Sequence, residues 1–335
     1  MKAICVHQFG EPEVLSYEDV PEPEAQAGQA VVKIEAIGVN FIDVYHRTGL
    51  YPVEPPLVPG SEAAGTVTAV ADGGKEVKVG DRVAYAMSLG SYAESQAVDV
   101  WKLVRLPDGM DARSGAAIML QGLTAHYLCY STFPLKSSHT ALVHAAAGGV
   151  GLLLTQIAKK RGATVYGTVS TEEKAALARE AGADEVILYT EQDFEAEVKR
   201  FTDGAGVDVV FDSVGATTFQ GSVNCLRARG YMVSYGQSSG AVEAFKMEML
   251  RPKSLFLTRP TMLNYCANRE ELFARTNDLF RWFKSGNLKL RIEKTYPLAE
   301  AAEAHKALEG RKTTGKVLLL PEPAPSSQKE PASDH

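Results

Sequence analysis

The sequence has few cysteines, no long apolar run and no excess of basic residues. Its four cysteines (Cys5, Cys129, Cys225 and Cys266) are widely separated among 335 residues, which excludes a disulfide framework and any CxxC zinc cluster. No apolar stretch reaches the roughly 20 residues that a transmembrane helix needs. The net charge of -6 argues against nucleic acid or an anionic membrane as the main partner, because both attract basic surfaces.

The first residues, MKAICVHQFG, also lack the apolar core of a secretory signal peptide. We therefore expect a soluble, cytoplasmic protein whose thiols stay reduced. Hydrophobic residues make up 45% of the chain and charged residues 23%, which is ordinary for a globular protein. The length suits two domains better than one.

Long helical patterns are missing from the first third of the chain, which is predicted to be β-rich. The segments AVVKIEAIGV (30–39) and GTVTAVADGG (65–74) alternate apolar and polar residues, as half-buried strands do. VKVGDRVAY (77–85) continues the pattern after a turn, and clusters of Pro and Gly separate these runs. Helical periodicity begins only near Asp111.

From Ala141 onward, short β-branched runs alternate with helical patterns, which predicts a parallel sheet covered by helices on both faces. Six such runs match the strand count of a doubly wound Rossmann sheet, so the fold class is α/β. The predicted strands lie at 140–145, 163–169, 184–189, 207–212, 230–236 and 254–258, and the helices between them at 151–161, 172–182, 193–204 and 216–230.

The remaining sequence predicts a long helix near Asn268–Ser285 and then a strand, a helix and a strand within 294–321. The tail at 321–335 is rich in Pro, Ser and charge, which predicts disorder.

A glycine-rich turn follows the first predicted strand of the α/β region. The motif Ala146-Ala147-Gly148-Gly149-Val150-Gly151 fits the dinucleotide fingerprint G-x-G-x-x-G with Ala in the first position. Glycines allow a tight turn, let the backbone approach a pyrophosphate and let the helix pack closely on the strand. The helix N-terminus then offers free N–H groups to phosphate. We therefore predict a dinucleotide-binding loop.

The acidic residue that binds the ribose 2′-hydroxyl of NAD is absent from the end of the second strand. Ser170 and Thr171 stand there instead, and Lys174 follows one helical turn later. Hydroxyls and an ammonium group suit a 2′-phosphate, which favours NADPH over NADH. In an alternative reading, Ser170 and Glu173 form a capping box and Lys174 is merely solvated. Glu172 and Glu173 also weaken the electrostatic argument.

Several motifs together resemble the zinc-independent medium-chain dehydrogenases/reductases, and above all their ζ-crystallin-like NADPH:quinone oxidoreductases. They are GVNFIDVYHRTGLYP, VPGSEAAGTV, HAAAGGVG, GTVST, FDSVG, YGQSSGAV and LTRP, spread from Met1 to about Pro321. The resemblance implies a GroES-like β-barrel catalytic domain at 1–117, a Rossmann NADPH-binding domain at 118–265 and a return to the catalytic domain at 266–320. It also implies an active site in the cleft and a homodimer or tetramer.

Zinc alcohol dehydrogenases are similar to this chain but carry metal ligands that it lacks. Asn40 stands where their first catalytic Cys falls, and Ser61-Glu62 stands where they have His-Glu. The four-cysteine structural lobe is absent. Catalytic zinc needs three protein ligands, so we predict no metal.

The segment VNFIDVYHRTGLY lines the nicotinamide and substrate pocket in the resembled family. Asn40 is expected to bind the nicotinamide ribose or a substrate oxygen, and Tyr45 and Tyr51 to stack on a flat ring or donate to its carbonyl. Packing alone is the alternative for the tyrosines, and loop orientation rather than proton relay is the alternative for Asp43. Gln121 and Thr124 are expected near the nicotinamide at the domain junction.

Further cofactor contacts are implied by position in the family motifs. Arg311 is expected to reach the cofactor from the C-terminal segment, or else to be a solvated arginine at a helix end. The predicted cofactor contacts are Asn40, Tyr127, Gly148, Gly149, Val150, Gly151, Ser170, Lys174, Tyr189, Ser213, Tyr235, Gly236, Ser238, Leu257, Arg259 and Arg311.

These observations predict an NADPH-dependent quinone reductase that transfers a hydride, or electrons, to a quinone in the cleft between the domains. A quinone is already electron-poor and needs no Lewis acid, which suits a site without metal. The first alternative is reduction of activated C=C bonds in alkenals, enones or acyl thioesters. The second is a non-catalytic role, crystallin-like or RNA-binding, which the acidic composition disfavours.

Overall fold

The computed structural model describes residues 1–321 and contains a six-stranded sheet, a seven-stranded sheet and a two-stranded ribbon. The strands are Lys2–Cys5 (β1), Ser16–Asp19 (β2), Gln29–Val39 (β3), Glu62–Val70 (β4), Arg82–Ala86 (β5), Ser95–Asp99 (β6), Val104–Arg105 (β7), Thr140–Val143 (β8), Thr164–Val169 (β9), Glu185–Leu188 (β10), Val207–Asp212 (β11), Leu226–Ser234 (β12), Phe256–Thr258 (β13), Ile292–Pro297 (β14) and Lys316–Leu320 (β15).

The helices follow the same order along the chain. The α-helices are Phe41–Arg47 (α1), Ala112–Tyr127 (α2), Gly149–Lys160 (α3), Glu172–Glu180 (α4), Phe194–Phe201 (α5), Phe219–Cys225 (α6), Met262–Tyr265 (α7), Arg269–Lys284 (α8) and Ala301–Glu309 (α9). A π-helical turn, Leu128–Thr132, extends α2. Short 3-10 turns lie at Pro12–Val14, Val100–Lys102, Met247–Lys253 and Leu298–Glu300.

The six-stranded sheet has the order β10-β9-β8-β11-β12-β13, and all its pairs are parallel. The chain crosses from β10 back past β8 to β11, so the strand order reverses beside β8. Dinucleotides bind at such a reversal, outside the carboxyl ends of the strands. Valine-rich strands such as β11 are buried along their whole length, as expected for a sheet covered on both faces. All six strands predicted from the sequence are confirmed.

The seven-stranded sheet follows β14-β15-β3-β4-β5-β7, with β6 also paired to β3. Its pairs are antiparallel except for β14 with β15. The last two strands come from the C-terminal segment, which thus returns to the N-terminal sheet. This return brings Lys316, at the start of β15, beside Val39 at the end of β3.

Helix α2 joins the two sheets. Asp111 caps its N-terminus by accepting a hydrogen bond from the Ser114 N–H at 2.7 Å. One continuous apolar core includes Ala64 of the seven-stranded sheet, Ile118 of α2 and Phe211 of the six-stranded sheet. The predicted domain boundary at residues 117 and 118 falls inside this helix, and the division into domains remains a prediction.

One predicted helix is shorter in the structure than the sequence indicates. The helix expected at 216–230 is only α6, because Leu226 is extended and pairs with Val207 to begin β12. Sheet pairing therefore overrides the helical pattern at 226–230. The disordered tail predicted at 321–335 lies, from residue 322 onward, outside the described residues. Within residues 1–321, we find no helix with the length and apolar character to cross a membrane.

Candidate active site

A cavity of about 970 Å³ lies between the two sheets. Helix α1 and the end of β3 form one wall, and the glycine turn, the ends of the parallel strands and the segment before α7 form the other. Such a volume lies at the upper end of the range for cofactor pockets. The cavity therefore offers room for an extended ligand between the sheets.

The glycine turn has the shape that the motif predicts. Gly148 precedes α3, and no side chain in the described part of the protein caps this helix. Its first N–H groups therefore remain available to an anion. A Cβ at Gly151 would collide with the carbonyl oxygen of Ala145, and one at Gly149 with the side chain of Gln121. The turn is thus packed against backbone at Gly151 and against the end of one side chain at Gly149.

The end of β9 presents a cation and hydroxyls to the cavity. The Lys174 ammonium donates to the Ser170 hydroxyl at 3.2 Å and to the Arg311 carbonyl at 2.7 Å. The helix cap is Thr171, whose hydroxyl accepts the Lys174 N–H at 3.3 Å, so the capping box considered for Ser170 does not form. Ser170 is therefore free to face the cavity. Tyr189 completes this end.

A buried ion pair lies behind the other end of the cavity. Lys316 donates to the Glu62 carboxylate and, at 2.9 Å, to the side-chain oxygen of Asn40. The Asn40 amide in turn donates to Glu62 at 2.6 Å, and the Leu120 N–H donates to the second carboxylate oxygen at 2.6 Å. The Gln121 amide reaches Asn40 at 3.4 Å. These contacts hold the Asn40 side chain in one orientation at the cavity wall.

Asp43 is fully buried beside this group and accepts three hydrogen bonds. The donors are the Asn40 N–H at 2.9 Å, the Ser61 hydroxyl at 3.1 Å and the Tyr92 hydroxyl at 3.2 Å. Burial raises the pKa of Asp43 to about 7, although the Asn40 N–H, the Lys316 charge and the Ser61 hydroxyl oppose the rise. The carboxyl group can therefore hold a proton at neutral pH.

Tyr45, on α1, and Tyr51, shortly after it, line the cavity. The rings of Tyr45 and Tyr51 lie 5.1 Å apart between centroids. The Gln237 N–H donates to the Tyr45 oxygen at 3.0 Å, which leaves the hydroxyl proton of Tyr45 free for the cavity. Burial raises the pKa of Tyr45 to about 12. Arg259 holds the Gln237 side-chain oxygen at 2.7 Å and so supports this arrangement from outside.

Most of the predicted site residues meet in this cavity. Three do not line it: Asp43 is buried behind Ser61, Leu257 packs in the core beside β12, and Arg259 supports Gln237. The residues that do line it are Asn40, Tyr45, Tyr51, Gln121, Thr124, Tyr127, Gly148, Gly149, Val150, Gly151, Ser170, Lys174, Tyr189, Ser213, Tyr235, Gly236, Ser238 and Arg311.

Sequence reasoning missed several residues of the site, and two of them, Ser61 and Lys316, bring polar groups close to Asn40 and Asp43. Ser61 lines the cavity, and Lys316 stands buried in an otherwise apolar strand, KVLLL. A lone lysine at the head of such a strand was the available signal for a buried ion pair. Within residues 1–321, no group of three or more His, Cys, Asp or Glu side chains is placed to hold a metal ion.

A parallel sheet with a glycine turn, facing a largely antiparallel sheet across a deep cleft, defines an oxidoreductase of the dinucleotide-binding class. Comparison with known families agrees. Residues 26–108 match the alcohol dehydrogenase GroES-like domain, and residues 181–319 match the zinc-binding dehydrogenase family. The α/β fold class, with a GroES-like part and a Rossmann part, is thereby confirmed.

Individual relatives are similar along nearly the whole chain. A quinone oxidoreductase of Pseudomonas aeruginosa is 46% identical, covering 96% of this chain and 99% of its own. A 2-haloacrylate reductase of a Burkholderia species is 42% identical over 96% of this chain and 99% of its own. The crystal structure of Escherichia coli quinone oxidoreductase complexed with NADPH has a TM-score of 0.94 at 43% identity, covering 96% and 100% of the two chains. The chain belongs to the quinone oxidoreductase family of medium-chain dehydrogenases/reductases.

Proposed function

We propose that this protein is an NADPH-dependent oxidoreductase that reduces quinones in the cleft between its two sheets. One observation carries the cofactor assignment. The end of β9, where a carboxylate would select NAD, instead carries the Lys174 ammonium and the Ser170 hydroxyl, 3.2 Å apart and facing the cavity. A phosphate group satisfies both of these groups, whereas an unmodified ribose leaves the charge unpaired.

The residues around the cavity fit a bound dinucleotide from end to end. The N–H groups at the start of α3 would hold the pyrophosphate, and Lys174, Arg311 and Tyr189 would surround the 2′-phosphate. The bound cofactor would supply a hydride. Asn40 and Gln121 would orient the nicotinamide ribose, because their amides are fixed by Lys316 and by each other.

The substrate end of the cavity suits a flat, apolar ring. Its walls include Met87, Leu89, Met262 and Leu263, together with the two tyrosines described above. Methionine and leucine side chains bind ring faces without demanding one shape, and tyrosines add an edge or a hydroxyl contact. A quinone carbonyl placed between the tyrosines would meet the free Tyr45 proton.

A second candidate is the reduction of activated C=C bonds. It is favoured by the similarity to a 2-haloacrylate reductase and by the hydroxyl groups of Tyr45 and Ser61 in the cleft. An alkenal or acrylate must take up both a hydride and a proton, so a nearby hydroxyl donor suits it.

The purified protein tests both proposals through the absorbance of reduced nicotinamide. We expect fast NADPH oxidation with para-benzoquinone and phenanthrenequinone, slower oxidation with an alkenal, and little reaction with NADH. A chelator should change none of these rates. Turnover with the alkenal alone would replace the quinone assignment by the second candidate. Equal rates with NADH would contradict the role given to Lys174.

Lys174→Ala tests the cofactor site directly. Removing one charge-assisted contact costs about 1.5–3 kcal/mol, so KM for NADPH should rise about 10- to 100-fold while KM for NADH stays the same. Lys136→Ala, the same exchange at an exposed lysine, is the matched control. If the two variants behave alike, the 2′-phosphate is held elsewhere.

We also expect a homodimer and a cytoplasmic location, as the family resemblance predicts. Light scattering on the purified protein gives the mass of the assembly, and fractionation of cells gives its location.

A further inference from the structure

The carboxyl group of Asp43 sits at the end of a chain of buried polar groups. Ser61 connects it to the cavity, and Tyr92 connects it to His305, whose Nε2 lies 3.0 Å from the tyrosine hydroxyl. On the far side of His305, Nδ1 lies 3.1 Å from the Arg47 guanidinium. Arg47 is itself paired with Glu309 through contacts of 2.7 and 2.8 Å. This series of hydrogen-bonded side chains therefore runs from the cavity to the protein surface.

Arg47 fixes the direction of the hydrogen bonds from His305 through Tyr92 to Asp43. A guanidinium group only donates, so Nδ1 of His305 must accept and the imidazole proton must be on Nε2. The Nε2–H group then donates to the Tyr92 oxygen, and Tyr92 donates to Asp43. Burial, with Arg47 beside it, lowers the pKa of His305 to about 3, which agrees with a neutral ring. No proton can enter along this arm, because Arg47 occupies the only free position on the imidazole.

Ser61 is consequently the one partner of Asp43 that can exchange a proton with it. The Asn40 N–H is a backbone donor, and the Tyr92 proton is held in place by His305. The Ser61 hydroxyl can donate to Asp43 or accept from it by rotating, and the serine also faces the cavity.

We propose that Ser61 is the proton donor to the reduced substrate and that Asp43 stores the single proton that resupplies it, a role that rests on the proposed function. Tyr92, His305 and Arg47 are positioning residues. They keep one face of Asp43 saturated with donors, so that its proton can lie only toward Ser61.

Proton transfer from Ser61 follows the transfer of a hydride to the substrate. The substrate receives a hydride, the nicotinamide is oxidised, and one substrate oxygen is left negatively charged, as in a hydroquinone anion or an enolate. That oxygen forms an O–H bond with the Ser61 proton as the Oγ–H bond breaks. Oγ takes the proton of Asp43 Oδ1, which leaves a carboxylate. After the product leaves, hydronium or a buffer acid in the cavity gives a proton to Ser61 Oγ while Ser61 passes its own proton to Asp43 Oδ1, so both groups regain their starting state.

Charged and titratable groups surround Asp43 from every side. Lys316 on β15 favours its ionised form and Glu62 on β4 disfavours it, while Tyr92 donates to it and His305 on α9 and Arg47 on α1 follow behind Tyr92. Among cavity residues, burial lowers the pKa of His46 and of His144 and raises that of Tyr45 to about 12. Burial therefore disfavours protonation of the two imidazoles and ionisation of Tyr45.

The pH dependence of kcat tests the proposal. Asp43 must be protonated before turnover, so kcat of the wild type should fall as the pH rises above about 7. Asp43→Asn cannot release a proton, and its kcat should be low and independent of pH in this range. Asp108→Asn, the same exchange at an exposed turn, should keep the wild-type profile.

Ser61→Ala is a second test variant in case Asp43→Asn does not fold. It leaves the hydrogen bonds from Asn40 and Tyr92 to Asp43 in place. Its kcat with an enone should fall about 100-fold, and its neutral inflection should disappear. The loss with a quinone should be smaller, because a hydroquinone anion is a weaker base than an enolate and needs less help. If Ser61 had only a structural role, Ser61→Ala would lower kcat with the enone and kcat with the quinone equally. NADPH binding, followed by nicotinamide fluorescence, should be unchanged.

The outcomes separate the two proposals. If the wild type oxidises NADPH but Asp43→Asn or Ser61→Ala keeps the neutral inflection, the proton store is refuted and the proposed function stands. If Tyr45→Phe alone removes the inflection, the donor is Tyr45 and the proposal is likewise overturned. If the wild type fails to oxidise NADPH with any of the quinone or alkenal acceptors, the proposed function fails and this inference fails with it.

Discussion

The buried pair of Glu62 and Lys316 allows a stability prediction with a defined size. The Glu62 side chain is fully buried and that of Lys316 is 3% exposed. Lys316→Met keeps the length of the side chain and removes its charge, which leaves the Glu62 carboxylate with only the Asn40 amide and the Leu120 N–H. We therefore expect a large loss of stability from this single change.

The size of this stability loss follows from the attraction between the two charges and the opposing free-energy cost of burying them. Two unit charges about 4 Å apart attract by about 4 kcal/mol at an effective dielectric constant of about 20, and breaking a buried pair costs about 3–5 kcal/mol. Replacing both charges removes the desolvation penalty as well. The free energy of unfolding should therefore fall by about 3–5 kcal/mol in Lys316→Met and recover by about 2 kcal/mol or more in Glu62→Gln/Lys316→Met.

Urea denaturation of the four proteins of this double-mutant cycle measures the coupling. Lys2→Met is the matched control, because Lys2 forms an ion pair with Asp19 at 2.8 Å on the exposed surface. We expect it to change stability little. If Lys316→Met were as mild as Lys2→Met, or if the double variant were less stable than the single one, the buried charges would not depend on each other.

Three further variants test the geometry of the site. Gly151→Ala should raise KM for NADPH and lower the melting temperature, because its Cβ would collide with the backbone oxygen of Ala145; circular dichroism and steady-state kinetics measure both. Gly149→Ala should be milder, since its Cβ meets only a side-chain amide that can move, and equal effects would contradict this reading. Tyr92→Phe removes one donor from the Asp43 carboxylate, which should raise the pKa of Asp43 and move the inflection of kcat upward by about one unit. A downward shift would show that Tyr92 does not donate to Asp43.

Local patterns suffice for most of the fold. Each of the six parallel strands contains a short run rich in apolar or β-branched residues, such as Val207–Asp212, so it is visible without knowing its neighbours. Helix α8 is equally local, since Asn268 caps it by accepting the Glu271 N–H at 2.9 Å. The glycine turn is visible because its chemistry lies within six consecutive residues.

Contacts between distant segments set the limit of such prediction. Helix α6 ends early because Leu226 pairs with Val207 across the sheet, and no local pattern contains that pairing. Lys316 meets Glu62 across 254 residues of sequence. The lysine at the head of an apolar strand signals a buried ion pair, but its partner becomes visible only when β15 is placed beside β3.

Asn40 ties the two buried polar groups together, which makes the stability test and the pH test depend on each other. Its N–H binds Asp43, and its side chain binds both Glu62 and Lys316. Lys316 lowers the pKa of Asp43 and Glu62 raises it. Lys316→Met alone should therefore move the inflection of kcat to higher pH, because the opposing Glu62 charge remains. In Glu62→Gln/Lys316→Met both charges are gone, so stability and the inflection should return toward the wild type together. A variant that regained stability but not the inflection would show that Asp43 responds to the position of Asn40 rather than to the two charges.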